Sequence, residues 1–268
     1  MSDSKTTSST PVTAAPVTAG LAIIGNEILS GRTRDANLQF LGEELNKLGI
    51  RLSEVRVVSD IPDAIVEAVN TLRQRYDYVF TTGGIGPTHD DITSECVAKA
   101  FDLDFGPNPE AVALLSAHYA ARGDEFTPAR QRMANTPVDA VLIDNPISVA
   151  PGFQIENVFV LPGVPRIMQA MFAGIRGRLS GGRQMVSRTV SSLVPEGTAG
   201  GPLGELQARY PDTEIGSYPL NDRPGANIVI RAEDPARADA AAKDVFAMLK
   251  DLGGDPVLET PEEQGVPT

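Results

Sequence analysis

The chain has 268 residues, 41% of them hydrophobic, and a formal charge of −12 with no tryptophan. That is enough aliphatic material for a main domain with a smaller companion. The acidic balance and the lack of a long basic run exclude a phosphate-tracking nucleic-acid surface, and no stretch reaches the length of a membrane span.

Residues 1–18 are rich in Ser, Thr, Pro and Ala, with no apolar core and no arginine, so they read as a disordered tail and not as a secretory signal or transit peptide. "GLAIIG" (Gly20 to Gly25) has the look of a buried strand, and the loop "NEILSGRTRD" follows it. Asp35 can cap a helix in which Leu38, Leu41, Leu45 and Leu48 keep helical spacing and Gly49 supplies the stop. "IRLSEVRVVSD" reads as a second strand, Asp60 with Pro62 opens a second helix ending near Arg75, and "YDYVFTTGG" is a third strand. This β-α-β-α-β order predicts a parallel sheet with helices on its faces.

Further on, "ITSECVAKAF", "NPEAVALLSAHYAARG" and "TPARQRMA" read as helices, "AVLIDN" and "NVFVLPG" as strands, and "VPRIMQAMFAGIRGRL" as an amphipathic helix. The only cysteine, Cys96, lies in the first of these, where a small buried side chain is expected; a lone cysteine makes no intramolecular disulfide and suits a reducing cytosol. "SGGR" at Ser180–Arg183 breaks the pattern and marks a domain boundary. Beyond it the order is strand ("QMVSRTVSSLV"), helix ("PLGELQARY"), two strands ("TEIGSYPL", "ANIVIRAED") and a long helix from Pro235, which suits a small open sheet with helices on one side. The expected division is therefore a tail over 1–18, an α/β domain over 19–180, a small α+β domain over 181–260 and a frayed end over 261–268.

In open parallel sheets ligands sit at the carboxyl ends of strands. Three loops that leave strands there are unusual: "GNEILSGRTRDAN", "TTGGIGPTHDDIT" and "LPGVP", and "NPISVAPGF" is a candidate to join them. In the second, Gly83, Gly84 and Gly86 permit positive φ and close approach to a ligand, while unpaired N–H groups and the hydroxyls of Thr82 and Thr88 favour a phosphate. Asp90 and Asp91 repel an anion, so they call for a divalent cation that also touches the phosphate, or for ribose or amine donors; the plainer alternative is that one of them caps the next helix. Glu27 is a metal ligand, a base or simply an exposed loop residue, and Asp35 most simply a cap. Arg130 and Arg132 are two apart on a helix and do not share a face, so one of them is expected at a phosphate and the other in solvent. His89 and His118 are isolated and read as structural. No GxxxxGK or GxGxxG follows a strand, which disfavours nicotinamide chemistry.

Taken together and in order, "GNEILSGRTRDAN", "TTGGIGPTHDDIT", "NPISVAPGF" and "LPGVPRIMQAM" resemble the molybdopterin-binding-domain superfamily, in particular the amino-terminal domain of CinA-type competence/damage-inducible proteins. The chain is also similar to the domain fused to eukaryotic FAD synthases and, more distantly, to molybdopterin adenylyltransferases of the MogA type. The resemblance implies a three-layer α/β/α main domain of MogA-like type with a mostly parallel sheet and a small α+β domain behind it. It implies a pterin or nucleotide-diphosphate ligand and hydrolysis of a dinucleotide pyrophosphate of the ADP-ribose or FAD class with Co²⁺, Mn²⁺ or Mg²⁺, with K⁺ alongside. Carried over by position, Gly25, Asn26, Thr82, Gly83, Gly84, Gly86, Thr88, Arg130 and Gly163 would hold ligand and phosphate. Asp90, Asp91 and Glu27 would be catalytic, and Asp91, Asp90 and Asp35 would hold metal. The carboxyl-terminal amidase domain of full-length CinA proteins is not expected in this chain. Two other functions stay open: a molybdopterin or nucleotide binder without turnover, and a molybdopterin adenylyltransferase. A cytoplasmic homo-oligomer is expected.

Overall fold

The computed structural model describes residues 16–220 and 223–259. The chain divides into two compact units between Gly182 and Arg183. In the first, the elements run β1 (Val17–Ile24), α1 (Asn26–Leu29), α2 (Asn37–Lys47), β2 (Ile50–Val58), α3 (Pro62–Arg75), β3 (Tyr78–Thr82) and α4 (Thr93–Ala100). They continue β4 (Phe105–Pro107), α5 (Pro109–Arg122), α6 (Pro128–Gln131), β5 (Asn135–Pro137), β6 (Val141–Ile143), β7 (Gly152–Ile155), β8 (Val158–Leu161) and α7 (Pro165–Ile175).

Six of these strands form one sheet in the order β2-β1-β3-β8-β7-β6, and the first four are parallel. Alternation along β1 shows why it is central. Ala19, Leu21 and Ile23 enter a core with Leu41 and Leu45 of α2 and Met168, Met171 and Phe172 of α7. Ala22 and Ile24 enter the opposite core with Ile65, Val69 and Leu72 of α3 and Val97 of α4. A strand buried on both faces reads as a continuous apolar run, as "GLAII" does. The result is the expected three-layer α/β/α arrangement with a mostly parallel sheet. Phe80 stacks on Phe159 with ring centroids 5.3 Å apart and meets Phe172 at 6.0 Å, at the centre of the first core. Because β2 and β3 pair with β1 on opposite sides, the order reverses there, which opens a crevice beyond Ile24 and Thr82.

The second unit holds β9 (Val186–Ser192), α8 (Glu196–Arg209), β10 (Thr213–Pro219), β11 (Ala226–Ala232), α9 (Pro235–Asp251) and β12 (Val257–Leu258). Its antiparallel sheet runs β10-β11-β9-β12. Val190, Ile228 and Ile230 pack from one face against Leu203 and Leu206 of α8 and Ala241, Val245 and Leu249 of α9, so both helices lie on one side, as expected. Asp234 caps α9, its Oδ1 accepting the Ala236 N–H at 2.8 Å.

Several local expectations are corrected. β1 begins at Val17, inside the stretch assigned to the tail, while residues 1–15 and the expected frayed end at 261–268 lie outside the described residues. "NEIL" winds into the short α1 instead of staying a loop. Asp60 does not open α3, whose N-cap is Ile61; its Oδ2 instead accepts the Asn26 N–H at 2.8 Å and ties the β2 exit to the β1 exit. β4, β5 and β7 were not visible as periodic runs, and β12 is only two residues long. α8 starts at Glu196, six residues before Pro202, which sits inside the helix. Ala199, Leu203 and Leu206 recur at helical spacing and bury on the sheet, and that packing outweighs the proline.

Phe80→Ala is expected to lower the unfolding free energy by about 3–5 kcal/mol in urea denaturation, whereas Leu114→Ala on the exposed side of α5 should change it by less than about 0.5 kcal/mol. Equal losses at the two positions would contradict the placement of this core.

Candidate functional site

Past β3 the chain turns through Gly83 (φ 100°) and Gly84 (φ 67°), backbone conformations strained for any residue with a Cβ. Space is as restrictive as torsion. A Cβ on Gly83 would collide with the Ile24 carbonyl at the end of β1, and one on Gly84 would collide with the Thr93 hydroxyl at the start of α4. A Cβ on Gly163, beyond β8, would stand 3.3 Å from the Gly83 Cα. The exits of β1, β3 and β8 therefore touch. Asn37, the buried first residue of α2, donates from Nδ2 to the Gly163 carbonyl at 2.8 Å and brings the remote end of the "GNEILSGRTRDAN" loop into the same place. The "NPISVAPGF" loop reaches this edge too, because β7 is antiparallel to β8 and starts beside its end. Buried Asn145 folds that loop on itself, its Oδ1 accepting from the N–H groups of Ile147 and Ser148.

Four side-chain oxygens at or next to these strand ends are buried and have no hydrogen-bond partner: Asn37 Oδ1, Thr81 Oγ1, Thr82 Oγ1 and Thr93 Oγ1. Their residues are at most 2% exposed. Orphan polar atoms are rare in native interiors; Thr81 and Thr82, adjacent on β3, send theirs to opposite faces of the sheet. Asn37, Thr81 and Thr93 were missed from sequence, though all three lie in the quoted motifs; Asn37 and Thr93 are not separable there from an ordinary helix start, nor Thr81 from an ordinary strand residue.

The backbone donors are distributed differently from expectation. The Gly83 N–H is spent on the Leu161 carbonyl at 3.1 Å, so Gly83 shapes the loop without offering a donor. The N–H groups of Gly84, Ile85 and Gly86 have no partner among the described residues. Thr88 and Asp91 close the loop: Asp91 Oδ2 accepts the Thr88 N–H at 2.8 Å and also the Thr88 hydroxyl. A Cβ on Gly86 would stand 2.7 Å from that same oxygen.

The other carboxylates are placed apart. Asp90 is exposed, 3.9 Å from exposed His89. Asp35 Oδ1 accepts the Leu38 N–H at 2.8 Å, the capping role that is its simplest reading. Glu27 is exposed and turned back over Gly25, both carboxylate oxygens 2.6 Å from where a Cβ would be. Gly25 and Asn26 use their N–H groups on the Val58 carbonyl and Asp60. Among the described residues no three His, Cys, Asp or Glu side chains gather as a metal-binding group, so Asp35, Asp90 and Asp91 are not brought together as one. Cys96 is buried, and burial pushes its thiol up to about 11, away from nucleophilic use.

The arginine expectation is reversed. Arg130 lies 4.3 Å over the Tyr119 ring and donates to the Glu125 carbonyl, so it braces the α5–α6 turn and is withdrawn from the phosphate set. Arg132 is the one at the loop, its Nη2 3.4 Å from the Asp91 carbonyl.

A family model described as "Probable molybdopterin binding domain" matches residues 20–180. The chain belongs to the molybdopterin-binding-domain family. A second model, "FAD synthase, middle domain", matches residues 184–253 of this family member. A protein of Pyrobaculum calidifontis is 35% identical over 251 residues, covering 87% of this chain and 96% of its own. A CinA-like protein of Gloeobacter violaceus is 33% identical over 247 residues; the match covers 88% of this chain and 58% of that longer protein. The crystal structure of CinA from Thermoplasma acidophilum, titled as of unknown function, superposes with a TM-score of 0.57 at 34% identity, over 61% of this chain and 98% of that one. The molybdopterin-binding-domain protein described here is thus of CinA type. Among the described residues it has no helix long and apolar enough to cross a membrane.

Two substitutions separate shape from polarity in this CinA-type loop. Gly84→Ala should cost about 1–3 kcal/mol of stability from its positive φ and the Thr93 collision. Thr93→Val, which removes only an unpartnered hydroxyl, should leave the free protein within about 1 kcal/mol of wild type or raise its stability. Thermal and urea unfolding of both variants checks this; a large loss in Thr93→Val would mean that the hydroxyl already has a structural partner.

Proposed function

We propose that the first unit binds a phosphorylated heterocyclic ligand of the pterin or nucleotide-diphosphate class at the glycine-lined strand edge, and hydrolyses a nucleotide pyrophosphate there with the help of a divalent cation. The observation that carries this reading is the run of unpartnered backbone N–H groups at Gly84, Ile85 and Gly86, beside the place where three strand ends meet. Phosphate oxygens accept from such consecutive backbone N–H groups. Family membership supports the ligand class.

The chain's part in the reaction follows from its groups. The N–H groups of Gly84, Ile85 and Gly86 orient one phosphate and stabilise charge as it develops. Water adds to one phosphorus, the bond from that phosphorus to the bridging oxygen breaks, and the released proton passes to solvent or to an exposed carboxylate such as Glu27. The donor set suits a hard cation shared with the ligand's own phosphates, since Asp91 and Glu27 are available but no protein cage of three ligands is formed. Co²⁺, Mn²⁺ or Mg²⁺, with K⁺ alongside, would supply charge neutralisation and a more acidic water. We place the protein in the cytoplasm as a homo-oligomer on the same reading.

A second reading, binding without turnover, is favoured by one observation: Asp91 Oδ2 is already occupied by both donors of Thr88, which gives that carboxylate a sufficient structural task. Both readings are tested by AMP release from ADP-ribose and FAD with and without Co²⁺ plus K⁺. Metal-dependent release that falls about 100-fold or more in Asp91→Ala supports hydrolysis. Ligand binding by calorimetry with no release in the wild type selects the binder.

A further inference from the structure

Among the described residues, four other than glycine have positive φ: Asp102, Asp139, Glu156 and Val149. The first three are exposed acidic residues in turns, and aspartate is one of the side chains that tolerate the left-handed region. Val149, at φ 68°, is different, because branching at Cβ makes this conformation an outlier. The loop around it prevents relaxation. Buried Asn145 donates from Nδ2 to Ser148 Oγ at 2.8 Å and to the Ala150 carbonyl at 2.7 Å, and its Oδ1 accepts from the Ile147 and Ser148 N–H groups. The Asn145 carbonyl also accepts the Val149 N–H at 3.0 Å. Val149 is thus held through its own N–H and through both neighbours. Such strain persists only where the surroundings over-determine it.

Glycine would adopt this conformation without strain, so the isopropyl group must have a use that offsets it. Core packing does not supply one. Val149 is half-buried and belongs to none of the four apolar clusters, whereas its neighbour Ala150 packs with Ala111, Leu115 and Ala134. The place of the loop does supply one. It leads into β7 at Gly152, which lies so close to β8 that a Cβ there would collide with the Val160 carbonyl. The end of β8 in turn stands beside the end of β3, Leu161 opposite Thr82. Neighbouring strands are about 4.8 Å apart, so β7 lies about 10 Å from β3. A sugar with its base, attached to a phosphate at Gly84–Gly86, spans that distance.

We propose that the Val149 side chain is a contact residue for the carbon-bearing part of the ligand, held in its strained conformation by Asn145. The inference rests on the phosphate-binding reading above and adds to it a residue that inorganic phosphate would not use. Calorimetric titration of the full chain with ADP-ribose and with inorganic pyrophosphate tests it, read beside thermal unfolding. Val149→Gly should leave the unfolding midpoint unchanged or raise it by up to about 4 °C. It should weaken ADP-ribose binding at least about fivefold and leave pyrophosphate affinity within about twofold. Val149→Thr keeps the branched shape and should hold ADP-ribose affinity within about threefold. A valine with a purely structural task cannot give unchanged or higher stability together with a selective loss of ADP-ribose. If wild type binds both probes and Val149→Gly binds ADP-ribose as tightly, the contact is overturned and the phosphate site stands. A lower unfolding midpoint with both affinities reduced alike would make the valine structural and overturn the contact equally. No binding of either probe to the folded wild type would remove the phosphate-binding reading and this contact together.

Discussion

The architecture of the site depends on one backbone contact, the approach of Gly83 to the Ile24 carbonyl and to Gly163. It brings the exits of three neighbouring strands together, closer than any side chain at those positions would allow. The parallel sheet supplies the geometry, because β1 lies between β2 and β3 and the crevice opens where the order reverses. Glycine supplies the clearance. Side-chain chemistry then settles around the contact: Asn37 bridges to Gly163, Thr93 tucks under Gly84, and Thr88 with Asp91 closes the far side. Without the contact these groups would belong to three separate loops.

That dependence explains what was legible in the sequence. A strand buried on both faces announces itself as an apolar run, and helices such as α2 and α3 announce themselves by spacing and by their ends, so the three-layer frame could be read directly. The motif loops were legible as composition. Their internal assignments were not, because composition does not say where a hydrogen bond goes. Asp60 looked like a helix start and serves the Asn26 N–H; Gly83 looked like a donor and spends its N–H on Leu161. Arg130 and Arg132 are indistinguishable by type and neighbourhood. Only the fold of the α5–α6 turn sends one to Tyr119 and the other to the Asp91 carbonyl. Short strands such as β4, β5 and β7 carry too few residues for a period to show, and α8 hides behind a proline that packing overrides.

The second unit poses a different problem in the same terms. Its helices carry their cores on small residues, Ala199, Ala238, Ala241 and Ala242, and α8 also holds four glycines. Each glycine in a helix interior costs roughly 1 kcal/mol against alanine. The unit's stability therefore rests on the sheet pairings of β9, β10 and β11 and on Leu203, Leu206, Val245 and Leu249 more than on helix propensity. Its match to a domain named for FAD synthase, alongside a first unit named for molybdopterin, is a likeness of chain segments and not of chemistry.

The pairing of glycines with carboxylates in "TTGGIGPTHDD" is the remaining physical question, and the structure narrows it. Asp91 does not face an anion with both oxygens bare: one accepts both donors of Thr88, which fixes the loop and leaves the other oxygen as an acceptor. Asp90 points into solvent and contributes field more than contact. A loop so arranged still offers a carboxylate oxygen of Asp91 to a cation or an N–H donor. The glycines and the aspartates in one short loop thus have separate tasks, the glycines clearing the contact between strand ends and Asp91 closing the loop on Thr88.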